Sequence, residues 1–226
     1  MILRVLRKRR ETKNISSLIL EKPQDFSFYP AQFIDVGFKK DTRIMSLSSS
    51  PSEKFLMFTF KLGISKYKIK LQKIKSGDIL ESSSPAGTYT LDENSPAVML
   101  AGGVGVASHR SMIKWAVDNK LSTPITLIYS NTDSDFAFKK ELSSWQKNYR
   151  KFTIHYVITK RDGRLNKEKL PSLLPDIYHL PAGRQDLQPI YYLAGPPSFV
   201  EDMEKILKTL GVDSTDIRLD SFDGYA

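Results

Sequence analysis

Residues 97–108 read AVMLAGGVGVAS. A short apolar run is followed by glycines at 102, 103 and 105, and a helical pattern then runs through Trp115 to Asp118. A buried strand that passes into a helix through glycines is the mark of an α/β unit. Glycines let the backbone approach a ligand closely, and the amino end of the following helix favours phosphate. The spacing is not the dinucleotide fingerprint, because the third glycine position counted from Gly103 is Ser108. A plain tight turn accounts for the same residues, so at this point the segment speaks for the fold and leaves the ligand open.

Toward the carboxyl end, strands and helices alternate. ITLIYS (125–130), FTIHYVIT (152–159), PIYYLA (189–194) and DIRLD (216–220) read as strands. Helices are expected near 135–147 and 167–174, and another opens at Ser198, with Glu201 completing a capping box, and stops before Gly211. With 97–101 this makes a five-stranded parallel sheet covered on both faces, whose ligands bind at the carboxyl ends of the strands. A second glycine turn, Leu193-Ala194-Gly195-Pro196-Pro197, stands at such an end, and two such turns on neighbouring strands would form the rim of a crevice. Residues 179–188 (HLPAGRQDLQ) read as a surface loop insertion.

Toward the amino end the pattern is β. Runs at Leu3–Leu6, Ile15–Leu20, Phe33–Phe38, Arg43–Leu47, Phe55–Phe60 and Ile79–Ser82 are separated by turn residues, as in a small antiparallel barrel. One helix interrupts them, with Tyr67, Leu71 and Ile74 on one face and Gly77-Asp78 closing it. The change of pattern at Asn94-Ser95-Pro96 divides the chain into a β domain, 1–94, and an α/β domain, 95–226. In the β half, Arg43-Ile44-Met45-Ser46 offers a guanidinium that can clamp phosphate and a hydroxyl that can bond a heteroaromatic ring. It also suits a strand with one exposed arginine and a serine-rich turn. Gly63-Ile64-Ser65 has the form of a helix N-cap, or of a second phosphate nest. The tail DSFDGYA reads as an aromatic segment that packs on a ring, or as a frayed end.

Composition narrows the chemistry. The 226 residues contain no cysteine, so disulfides, thiolate zinc sites and cysteine-ligated iron–sulfur clusters are excluded from this sequence. The three histidines, at 109, 155 and 179, share no metal-ligand spacing, and no metal site is expected. Redox chemistry would have to come from an organic cofactor or a partner. The basic start has no apolar stretch behind it, and the apolar segment 96–107 is short of the roughly 20 residues a membrane span needs, so a cytoplasmic protein is expected. Lys plus Arg is 34 against 25 for Asp plus Glu, a net charge of +9 concentrated in residues 3–10 and in lysines 66, 68, 70, 73 and 75. Such charge suits either solvated edges or the steering of an acidic partner. No nucleic-acid motif accompanies it.

The order of these pieces resembles the ferredoxin–NADP reductase-like (FAD-binding FR-type) flavoprotein oxidoreductases, along nearly the whole chain. The carriers are Pro30-Ala31-Gln32-Phe33, Arg43-Ile44-Met45-Ser46, Gly63 and Ser65, Gly77-Asp78, Pro85-Ala86-Gly87, Gly102-Gly103-Val104-Gly105, Ala194-Gly195-Pro196 and Asp220-Ser221-Phe222-Asp223-Gly224-Tyr225. The resemblance implies a β barrel that carries FAD and an α/β domain that carries NADH or NADPH. It implies that Arg43, Gly63 and Ser65 hold the FAD phosphates, Met45 covers the ring and Ser46 stands by its N5. Gly102, Gly103, Gly105, Gly195 and Pro196 would bind the nicotinamide dinucleotide, and Phe222 and Tyr225 would approach the flavin. The catalytic places fall to Ser46, Ala194 and Asp220. Three of these positions depart from the family pattern: Met45 stands for tyrosine, Ala194 for cysteine and Asp220 for glutamate. Asn131-Thr132-Asp133 after the second parallel strand carries a negative charge that favours NADH, while Lys160 and Arg161 offer a counterweight. The implied acceptor is an acidic electron carrier, a ferredoxin or flavodoxin. The alternatives are a subunit that feeds a larger oxygenase or membrane redox complex, and a flavin-free relic of the fold.

Overall fold

The computed structural model describes residues 1–39, 41–174 and 188–222. The amino-terminal strands are β1 (Ile2–Arg10), β2 (Ile15–Glu21), β3 (Phe33–Phe38), β4 (Asp41–Ser46), β5 (Phe55–Lys61) and β6 (Ile79–Ser82), with helix α1 (Lys66–Lys73) between the last two. All neighbours are antiparallel, in the order β4-β3-β6-β1-β2-β5, and a bridge from Leu47 to Phe58 joins the two outer strands into a barrel-like closure. Alternation packs the interior: Leu3, Val5, Leu18, Leu20, Ile34, Val36, Leu56, Phe58 and Leu80 are buried together. From α1, Tyr67, Leu71 and Ile74 enter the same core. Truncating a buried leucine such as Leu71 to alanine typically costs about 2–5 kcal/mol.

Strand β1 extends further than its apolar run. Its basic end pairs with β2 past an irregularity between Val5 and Arg7, and the charged side chains find partners outside the barrel. Arg9 bonds Glu11 at 2.6 Å, Arg10 donates to the Lys13 carbonyl, and Lys8 donates to the Gln72 and Ile74 carbonyls at the carboxyl end of α1. A cation there complements the helix dipole.

The remaining strands are β7 (Ala97–Gly102), β8 (Ile125–Asn131), β9 (Phe152–Ile158), β10 (Ile190–Gly195) and β11 (Ile217–Ser221). They form one parallel sheet in the order β11-β10-β7-β8-β9. Every residue of the central strands β7 and β10 is buried, which explains their unbroken apolar runs. The helices are α2 (Val106–Asp118), α3 (Lys139–Asn148), α4 (Thr159–Asp162), α5 (Lys169–Ser172) and α6 (Pro197–Thr209). The chain forms two compact units. Met1–Leu91 groups with Ala107–Trp115, and Asp92–Val106 groups with the residues from Ala116 onward.

Four local expectations are corrected. The capping box at Ser198 does not form: Pro196 is the N-cap and Pro197 opens α6, where its fixed φ is pre-set for the first turn. Helix α3 starts at Lys139, because Phe138 takes a left-handed φ of 59°. The helix expected over 167–174 is a single turn. The end of the strand expected to reach 159 is instead turned into α4, where Asp162 accepts the Ile158 amide at 2.8 Å. Of the loop expected at 179–188, all but Gln188 lies outside the described residues.

Candidate functional site

In the α/β unit the glycines divide their work. Gly103 has a φ of +55°, and a Cβ there would meet nothing within 4 Å, so its need for glycine is conformational. At Gly105 the need is space: a Cβ would fall 2.1 Å from the Ala194 carbonyl oxygen. Gly102 is pressed by the Phe199 ring at 2.7 Å from a built Cβ. Gly103–Gly105 form a single 3-10 turn that leads directly into α2. The two glycine turns are therefore in backbone contact at the carboxyl edge of neighbouring strands.

Strand pairing completes that edge. Ala194 is level with Ala101 on one side and with Asp220 on the other, and Gly195 is level with Ser221. The Phe222 amide donates to the Gly195 carbonyl at 3.0 Å. Gly102, Gly103, Gly105, Ala194, Gly195, Pro196, Asp220 and Phe222 are thus brought together. Ala194 is fully buried, so it offers a backbone and a methyl group, not a reactive side chain. Asp220 is half-buried on β11. Tyr225 lies outside the described residues.

The loops after β8 and β9 are held internally. Asn131 donates to the Asp133 and Asp135 carbonyls, and the Asp133 carboxylate accepts the Asp135 amide at 3.1 Å. The Lys160 amide donates to the Thr132 carbonyl, which ties α4 to this loop. Arg161 is committed to Asp162 through two hydrogen bonds of 2.7 and 3.0 Å. That guanidinium, with the Ile158 amide, lowers the Asp162 carboxyl to about 2. Of the two basic residues weighed for a 2′-phosphate, Lys160 is the one without this ion pair.

In the β unit, Arg43, Met45 and Ser46 lie on β4, and Gly63 and Ser65 on the turn before α1. Arg43 is exposed; it pairs with Asp41 at 3.2 Å and lies over the Tyr67 ring at 5.3 Å. The Tyr67 hydroxyl donates to the Val36 carbonyl at 2.6 Å, which fixes that ring. Ser65 is the N-cap of α1 and accepts the Lys68 amide at 3.3 Å. The structure thus sets Arg43 over Tyr67, in the first turn of the helix that Ser65 caps. This arrangement fits a diphosphate. Met45 packs partly against the barrel core, and Ser46 is buried.

Sequence reasoning did not single out the side chains of α2. Arg110 and Glu53 form a buried ion pair at 2.8 Å, and His109 bonds the Tyr89 hydroxyl at 2.8 Å. The one signal was an arginine set among the small buried residues Ala107, Ser108 and Ser111. Among the described residues no cluster of His, Asp and Glu can hold a metal ion, and no helix is long and apolar enough to cross a membrane.

Residues 99–205 match the family model of the oxidoreductase NAD-binding domain. The chain is 25% identical over 238 residues to a flavohemoprotein of Oceanobacillus iheyensis, covering 97% of this chain and 58% of that protein. It is 24% identical over 221 residues to the ferredoxin–NAD(P)(+) reductase component of the naphthalene 1,2-dioxygenase system of Pseudomonas putida, covering 93% of this chain and 65% of that one. Its fold matches a ferredoxin NADP+ reductase from Neisseria gonorrhoeae, crystallised with FAD and NADP, with a TM-score of 0.81 at 18% identity over 98% of both chains. Residues 99–205 thus match the NAD-binding domain family, and the whole chain has the fold of the ferredoxin NADP+ reductases. It spans less than two thirds of the length of either relative.

Proposed function

We propose that the chain is an FAD-dependent NAD(P)H oxidoreductase that passes electrons to a protein acceptor. One observation carries this reading: two glycine turns meet at the carboxyl edge of adjacent parallel strands, one opening a helix and the other level with Asp220 and Phe222. When bound, FAD would supply the capacity to accept a hydride and release single electrons; the protein supplies position and electrostatics. In this reading the first turn of α1, Ser65 and Arg43 hold the diphosphate of FAD. Ser46 would offer its hydroxyl to the flavin and Met45 would border the ring, while the carbonyl of Gly63 accepts a hydrogen bond from Gln72. The Gly102–Gly105 turn and the amino end of α2 receive the nicotinamide dinucleotide. Gly195 and Pro196 border it, and Asp220 and Phe222 line the place of transfer; the part expected of Tyr225 falls outside the described residues. Ala194 acts through its small size. Asp133 favours NADH over NADPH.

An acidic carrier, a ferredoxin or flavodoxin, is the acceptor that the net charge of +9 favours. A second reading is an electron-transfer component of a larger oxygenase or membrane redox complex. The likeness to a protein named as the reductase component of a dioxygenase system supports it. The test is a visible spectrum of the purified protein with FAD, followed by anaerobic NADH. A flavin band that bleaches supports the reading. No band after incubation with FAD overturns it.

A further inference from the structure

Helix α2 buries a full positive charge against the β unit. Arg110 is 2% exposed. Its Nη1 donates to the Ser48 carbonyl at 2.7 Å and to Glu53 Oε2 at 2.8 Å, and its Nη2 donates to Glu53 Oε1 at 3.0 Å. Glu53 Oε2 also accepts the Ser50 amide at 2.8 Å. The next residue continues the attachment: Ser111 Oγ donates to the Ser49 carbonyl at 2.6 Å and accepts the Ala31 amide at 3.0 Å. These contacts end on two turns, 29–32 and 46–53. The two turns are themselves joined, because the Leu47 amide donates to the Gln32 carbonyl and Phe33 is paired with Ser46.

Stability alone is a weak reason for such a pair. The cost of removing two charges from water offsets their attraction, and apolar replacements of similar size are often as stable. A bidentate arginine–carboxylate fork does something an apolar pair cannot: it sets angle as well as distance. We propose that Arg110 is a positioning residue for flavin reduction. Through Ser48 and Glu53 it holds the turn that begins at Ser46, and so fixes where the Ser46 hydroxyl is presented. It does this from the helix that the Gly102–Gly105 turn opens. The inference rests on the function proposed above.

The test uses the full chain with Arg110→Met alone and with Arg110→Met/Glu53→Gln. The single variant leaves Glu53 buried without its cation and is expected to be destabilised. The double variant removes both charges, and is expected to keep a thermal midpoint near the wild type and to bind FAD with similar affinity. Hydrogen exchange at the Ser48–Ser50 amides of the flavin-free protein is expected to speed up by about tenfold as the turn loosens. Flavin reduction by NADH in a single turnover is expected to slow by about tenfold or more, the scale of a small misplacement of a reacting group. A double variant that fails to fold, that keeps wild-type exchange at these amides, or that is reduced at the wild-type rate overturns the assignment. If the wild type takes up no flavin, the proposed function fails, and the exchange measurement still decides whether Arg110 holds the turn.

Discussion

A Cβ built on Gly105 would lie 2.1 Å from the carbonyl oxygen of Ala194 and 2.7 Å from the Gly195 nitrogen. No rotamer relieves that overlap, since both atoms belong to the backbone. Gly105→Ala is therefore expected to push the two glycine turns apart, at a cost of about 1–3 kcal/mol of overpacking. Gly103→Ala meets open space and bears only a left-handed φ, about 1–2 kcal/mol. The discriminating readout is nucleotide binding. Gly105→Ala is expected to raise the KM for NADH about tenfold while the flavin band persists, and Gly103→Ala to raise it less. Steady-state kinetics with NADH on both variants gives the order.

The guanidinium of Arg43 lies over Tyr67 in the first turn of α1 and is exposed to solvent, held by a surface pair with Asp41 that an anion would have to displace. Losing a charge-assisted bond is worth about 1.5–3 kcal/mol. Arg43→Ala is thus expected to weaken FAD binding by about 10- to 100-fold, and Arg43→Lys to recover only part, because an ammonium cannot make the forked contact. Fluorescence titration of FAD into the flavin-free variants measures both.

Asp162 links acid stability to α4. Its carboxyl is held at about 2 by the Arg161 guanidinium and the Ile158 amide, against an ordinary value of 3.8. The folded value is the lower one, so the carboxylate contributes stability that is fully present above about pH 4. That stability is lost as pH falls through 2. Asp162→Asn is expected to be less stable than wild type at pH 7, with the difference shrinking below pH 4. Thermal unfolding of both proteins across this range checks the sign.

The proposed preference for NADH rests on the loop after β8. The Asp133 carboxylate caps its own turn through the Asp135 amide, and of the two cations weighed against it, Lys160 and Arg161, the second is paired with Asp162. NADH is expected to reduce the flavin faster than NADPH. Asp133→Asn keeps the cap and removes the charge, and is expected to narrow the gap by about tenfold. Equal rates for the two nucleotides in the wild type would refute the preference.

Lys66, Lys73 and Lys75 are exposed along and beyond α1. If they steer an acidic carrier, reduction of a ferredoxin or flavodoxin slows as salt rises from low ionic strength, where the screening length is about 30 Å at 0.01 M, to 0.15 M, where it is about 8 Å. Stopped-flow rates that do not change with salt would remove these lysines from partner binding.

The strands and both glycine turns were legible because alternation and unbroken apolar runs report burial directly, as at Leu3 and Val5 or in Ala97–Ala101. The N-cap at Ser65 was legible because it is a local bond. What escaped reading depends on distant residues. The start of α6 passed from Ser198 to Pro197 through backbone geometry, and α3 was shortened by the conformation of a single residue, Phe138. Arg161, one of two cations offered for a phosphate, is paired with its neighbour Asp162. Arg110 and Glu53 stand 57 positions apart, and no periodicity joins them. Met45, expected beside a ring, packs partly against the barrel core, a contact that no local sequence pattern announces.

The grouping of Ala107–Trp115 with the barrel bears on how the gene can be taken apart. A fragment that ends at 94 keeps Glu53, Ser48 and Ser49 but loses the arginine and serine that answer them, and it uncovers a polar seam on an otherwise closed barrel. The two halves are therefore not interchangeable cassettes. A chimera that borrows the nucleotide half of a relative must bring back residues 107–115 of this chain, or carry a matching helix and turn from one parent.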